Sequence, residues 1–200
     1  MEAHINTELE EYNYETYKSK VQSLFDEGKV TGDTQSESLL NTTEMNLHRM
    51  KRHDAKSELS EELLALASKS TRKMTWYMLI EGWCADGSQN APIIAKIANS
   101  LPEVSLKIIL RDENPEIMDR YLTNGGRAIP KLIAFDAETN EELGTWGPRP
   151  TAIQEKVLAY KDVYPEMEKT DFALNLHKWY AKDKSLSIQK EFIELLKNWK

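Results

Sequence analysis

Cysteine occurs once in these 200 residues, at Cys84, so no disulfide can close within the chain and no cysteine-rich zinc site can be assembled. Histidine is scarce too: there are four, scattered, and His48 and His53 project from different sides of a helix rather than converging on a metal. Long apolar runs are missing. No segment approaches the ~20 apolar residues of a membrane span, and Met1 to Glu8 lack the basic flank and apolar stretch of a leader. The expectation is a cytoplasmic protein in a reducing compartment. Positive charge is in deficit: the formal net charge of −7 disfavours nucleic acid or an anionic membrane as partner, since both are held through neutralised phosphates. A glycine-rich phosphate loop and a nucleophile elbow are also lacking, because Gly125-Gly126 is a lone pair ending a short helix.

What is present is an ordinary globular composition, 40% apolar and 30% charged, in a length that suits one domain with additions. Residues 1–70 read as a helical extension. Leu9, Tyr12, Tyr17, Val21 and Leu24 predict a helix closed at Glu27-Gly28. Thr34-Gln35-Ser36-Glu37 has the form of a capping box opening a second helix, which continues through Leu40, Leu47 and Met50 and breaks near Ser57. Its basic cluster, His48-Arg49-Met50-Lys51-Arg52-His53, reads as a solvated helix face, with a docking surface as the alternative.

From residue 71 the pattern changes. Met74 to Ile80 and Val104 to Leu110 are short apolar runs rich in strand formers, joined by a helical segment from Ser88 to Ser100 with Pro92 inside it, which implies parallel neighbours. Asn114-Pro115 opens a short helix. Lys131 to Asp136 and Glu142 to Trp146 predict a hairpin, and Thr151-Ala152-Ile153-Gln154 reads as a second capping box. Beyond Pro165, Phe172, Leu176 and Trp179, then Ile188, Phe192, Leu195 and Trp199, predict two helices packed on the domain. The divisions are therefore 1–70, an N-terminal helical extension; 71–164, the core; and 165–200, C-terminal helices.

Two motifs identify the core. Trp83-Cys84-Ala85-Asp86-Gly87-Ser88-Gln89-Asn90-Ala91-Pro92-Ile93 resembles, without a gap, the thioredoxin active-site turn and helix, W-C-G-P-C-x-x-x-A-P-I. Arg127-Ala128-Ile129-Pro130-Lys131-Leu132-Ile133-Ala134-Phe135 is similar to the family's R-G-I-P-T-L-x-x-F. The resemblance covers roughly residues 71 to 160 and implies an α/β, thioredoxin-like three-layer sandwich. Its mixed sheet should have four strands, in the order 104–110, 74–81, 131–136, 142–146, with the last two antiparallel to the rest and helical extensions on both sides. The whole chain also resembles a bacterial group of thioredoxin-like proteins with W-C-G-D-A at the same turn. In the family the proline of the second motif is cis and faces the cysteine, which would make Pro130 and Ile129, with Trp83, the substrate-binding residues beside a catalytic Cys84.

Asp86, Gly87 and Ser88 modulate that site. A cysteine at a helix start faces free amides and the positive end of the helix dipole. At ~0.3–2 kcal/mol this lowers its pKa by roughly 0.2–1.5 units. Asp86, two residues on, repels a thiolate, so activation should be modest. Ser88 could hydrogen-bond the thiolate or cap the helix. Gly87 stands where a dithiol site has its second cysteine, whose internal attack has an effective concentration of about 10⁵–10⁸ M; an external thiol supplies millimolar at best. Two readings follow. One is a monothiol oxidoreductase: Cys84 attacks mixed disulfides, protein thiols or disulfides are the partners, a low-molecular-weight thiol is the co-substrate, and no cofactor or metal is needed. The other is a non-catalytic protein-binding module that has lost the resolving cysteine.

Overall fold

The structure, a computed structural model, describes residues 9–199. Met1 to Glu8, the segment on which the expectation about a leader rests, and Lys200 lie outside the described residues. In chain order the elements are α1 (Tyr14–Asp26), α2 (Glu37–Lys56), α3 (Glu61–Ala67), β1 (Met74–Ile80), α4 (Ala85–Ser100), β2 (Val104–Leu110) and α5 (Pro115–Met118). They continue with β3 (Lys131–Asp136), β4 (Glu142–Trp146), α6 (Thr151–Val163), α7 (Lys169–Asp183) and α8 (Leu186–Asn198). None of the described helices is long and apolar enough to cross a membrane.

The four strands form one mixed sheet in the order β2-β1-β3-β4 with helices around it, the expected order. β1 runs parallel to β2 and antiparallel to β3. The expected direction of β4 needs correction: it pairs antiparallel with β3 and so runs with β1 and β2, because a hairpin reverses the chain and only one of its strands can oppose β1. All six residues of β3 are buried, as befits a strand paired on both edges and covered on both faces. Trp76 of β1 is wholly buried, with the rings of Phe192 and Trp199 5.6 and 5.7 Å away; the aromatic stripe of α8 is thus core. The main apolar cluster draws on residues from Tyr14 to Trp199.

Several element starts differ from the sequence reading. α1 begins at Tyr14, capped by Asn13, whose side chain accepts the Thr16 amide at 2.9 Å. Leu9 and Tyr12 precede it, and Tyr12 instead bridges antiparallel to Ile108 on the outer edge of β2. The α2 cap is Ser36, not Thr34; Gln35 turns back to bond Val30 and the Gly32 carbonyl. At α6 the residue preceding the helix is Pro150, so Thr151 is already helical and its amide is taken by Glu191 at 2.6 Å. α4 starts three residues earlier than Ser88, directly after the cysteine, and passes unbroken through Pro92.

Candidate functional site

Cys84 occupies the turn between β1 and α4. Its amide donates to the Glu81 carbonyl at 3.0 Å, closing the turn, and its own carbonyl accepts from Ser88. As the N-cap of α4 it uses sulfur in place of the usual oxygen: Sγ accepts the Gly87 amide at 3.3 Å. The sulfur also donates, to the Ile129 carbonyl at 3.2 Å. The Ile129–Pro130 peptide bond is cis, and both residues are buried. A second cis bond, Gly147–Pro148, lies beside it; a Cβ on Gly147, at φ +115°, would fall on the Pro130 carbonyl oxygen, so this approach requires glycine.

The residue is only 7% exposed, and this corrects the expected activation. Burial, then the negative charge of Asp86, push the Cys84 thiol up to about 12, against the Gly87 amide, Arg149 and the Asp86 amide, which pull it down. The helix-start amides are present, but desolvating a buried thiolate shifts pKa by up to about 3–5 units and outweighs them. The thiol is therefore protonated at neutral pH, consistent with its donation to Ile129.

Gly87 is packed, not vacant. A Cβ there would lie 2.7 Å from Cδ1 and 2.9 Å from Cγ1 of Ile80, so the space a resolving cysteine would need is filled by β1. Ser88 takes neither role expected of it: its hydroxyl donates to the Ala85 carbonyl at 2.8 Å. Trp83 is half-buried, its indole nitrogen donating to the Thr31 carbonyl at 3.0 Å, with the Arg111 guanidinium 4.8 Å over its ring.

Asp86 is the hub of contacts that the local sequence did not disclose. Arg149 grips it with two prongs, Nε to Oδ1 at 3.1 Å and Nη2 to Oδ2 at 2.5 Å, with side-chain exposures of 16% for Arg149 and 9% for Asp86. The Tyr180 hydroxyl of α7 donates to Oδ1 at 2.7 Å and accepts from Asn90 at 2.9 Å. One turn along α4, Gln89 joins His53 (2.7 Å to Nε2) and His177 (3.0 Å to Nδ1). Both imidazoles are held below the ordinary histidine range, chiefly by burial, His177 at about 4. The first turns of α4 are thus clamped by the β4–α6 connection and by α7. The only sequence signal for Arg149 was its place between two prolines in Gly147-Pro148-Arg149-Pro150, a rigid loop.

The structure therefore brings Cys84, Asp86, Gly87, Ile129 and Pro130 into one cluster, while Trp83 and Ser88 are engaged by Thr31 and Ala85 respectively. Among the described residues there is no group of three or more histidine, cysteine, aspartate or glutamate side chains arranged to hold a metal.

Comparison with solved structures finds two crystal structures of similar fold. One is a protein of unknown function from Pseudomonas aeruginosa, 18% identical, with a TM-score of 0.55 over 88% of this chain and 96% of that one. The other is an HIV epitope-scaffold, 16% identical, with a TM-score of 0.54 over the same shares. At such identities the likeness concerns fold alone. No curated protein matches the chain. A family model described as Thioredoxin matches residues 32–169, which takes in α2, the whole sheet, Cys84 and Pro130, and by that match the chain belongs to the thioredoxin family.

Proposed function

We propose that this chain is a thioredoxin-fold protein-binding module in which Cys84 is a structural thiol and the strip beside Pro130 receives an extended segment of a partner protein. The observation that carries the proposal is the Cys84 Sγ–H bond to the Ile129 carbonyl, made by a buried, protonated sulfur. With a pKa of about 12 the thiolate fraction at pH 7 is about 10⁻⁵, against roughly 3% for a free cysteine near 8.5. Higher intrinsic nucleophilicity recovers part of the difference, since reactivity rises with about 0.4–0.5 of each pKa unit, leaving exchange about a hundredfold slower than for an ordinary thiol. The Ile129 carbonyl is taken by Cys84, but its amide forms no hydrogen bond among the described residues and is left as the donor to which a partner strand would add. Partner capture by the native chain and by Cys84→Ser tests this. Equal capture supports binding; loss of a mixed disulfide trapped by the native protein refutes it.

The competing reading is monothiol exchange, favoured by the Gly87 amide on the sulfur and by the positive charge of Arg149. In it the Cys84 thiolate attacks one sulfur of a mixed disulfide and the other sulfur leaves as a thiolate that takes up a proton. A small external thiol then displaces the product from Cys84. That cycle starts from a thiolate, the form burial disfavours here.

A further inference from the structure

Between α2 and α7 an open cleft of about 200 Å³ is lined by Met45, His48, Arg49, Arg52, Gln89 and His177. The α2 residues recur at three- and four-residue spacing, so one stripe of that helix faces the cleft. The lining contains two arginines and two histidines but no carboxylate, in a chain whose net charge is −7. Among the described residues neither Arg49 nor Arg52 has an ion-pair partner. Arg49 is half-buried, and its Nη1 donates to Asn46 Oδ1 at 2.8 Å. Arg52 Nη2 lies 3.4 Å from His53 Nε2, but that nitrogen carries the proton for its 2.7 Å bond to Gln89, so it offers Arg52 no acceptor.

Both arginines thus line one cleft that holds no carboxylate, and the surroundings register it. Arg49 is pulled below its ordinary range by burial and by Arg52, and His177 by burial, Arg49 and Arg52. Arg52 also borders a neighbouring cleft of about 330 Å³ that holds Lys56 and Lys184 with Glu58. The planar fork of arginine matches a phosphoryl group, and a dianion neutralises both charges at once. The cleft is small, and an acidic chain repels a polyanion, so the occupant is a small molecule.

We propose that the α2–α7 cleft binds a small soluble phosphate-bearing molecule, its phosphoryl group held by Arg49 and Arg52 with His48 and His177 alongside. The site is separate from the thiol and stands whether or not Cys84 reacts. Through Gln89, which bonds both His53 and His177, an occupant would touch the helix that Cys84 caps.

The test titrates the full chain with inorganic phosphate or glycerol 3-phosphate at constant ionic strength, chloride serving as the control, while the imidazole resonances of His48 and His177 are followed by NMR. Saturable shifts are expected, with the protonation midpoint of His177 rising by a unit or more in phosphate, since a bound anion favours the charged ring. Arg49→Gln and Arg52→Gln should each weaken binding about tenfold or more. Tighter binding of the ester assigns the ligand as a phosphomonoester; equal binding assigns it as free phosphate. In phosphate-free buffer Arg52→Gln should melt no lower than the parent, because it relieves repulsion. Drift identical to that in chloride, undiminished binding in both variants, or a clearly lowered melting temperature for Arg52→Gln would each overturn the proposal.

Discussion

Glu81 follows β1 directly and leads into the Cys84 turn, and it is a fully buried carboxyl, 0% exposed. Its Oε1 accepts the Asp112 amide at 2.9 Å, yet burial pushes its pKa up to about 7 against that bond and the Thr31 hydroxyl. Because the folded pKa lies above the unfolded value of 4.5, the folded state binds the extra proton between those two values. The stabilisation is fully present below pH 4.5 and is lost as pH rises through 7. A shift of 2.5 units at 1.36 kcal/mol each is about 3 kcal/mol in all, of which about 2.5 kcal/mol falls between pH 5 and pH 8. Glu81→Gln keeps the shape and an acceptor for Asp112 but cannot ionise. Urea unfolding followed by tryptophan fluorescence at both pH values should show Glu81→Gln gaining roughly 2–3 kcal/mol on the parent from pH 5 to pH 8. If the two proteins track in parallel across that range, Glu81 does not ionise as a buried acid and the linkage above is refuted.

Arg149→Gln leaves the Asp86 carboxylate buried without its cation and should cost about 3–5 kcal/mol, whereas adding Asp86→Asn should recover part of that loss; denaturant titration of the single and double variants checks both. Tyr180→Phe removes a hydroxyl that serves Asp86 and Asn90 together and should cost about 1–3 kcal/mol by the same measurement. Gly87→Cys drives a side chain into Ile80 and should destabilise by about 1–3 kcal/mol, with Ile80→Val in the same chain relieving part of it. A Gly87→Cys protein as stable as the parent would show that the site is open where the structure packs it.

The sheet and its order were legible because β1, β2 and β3 are short apolar runs at a period that changes from helical to extended, and because both motifs mark turns whose chemistry is local. The break at Ser57 was also legible. Cap assignments fared worse: Thr34, Ser36 and Thr151 are chemically alike, and which hydroxyl meets a free amide is decided by how the preceding loop enters the helix. The state of Cys84 was illegible for a different reason. Its neighbours in sequence supply the amides that lower its pKa and the Asp86 charge that opposes them, but the burial that raises it most draws on Tyr17 and Ile129, which come from distant segments. The partners of Asp86 are likewise 63 and 94 residues away, and no local pattern announces a pair at that separation.

Cys84 is a buried, protonated thiol. The rate of iodoacetamide alkylation as a function of pH, measured on the native chain, tests it most directly. A buried thiol should react slowly, with a midpoint well above the ~8.5 of free cysteine, beyond pH 10. A midpoint below 8 would mean a stabilised thiolate at the head of α4, contradicting the binding-module reading and restoring Cys84 as a nucleophile.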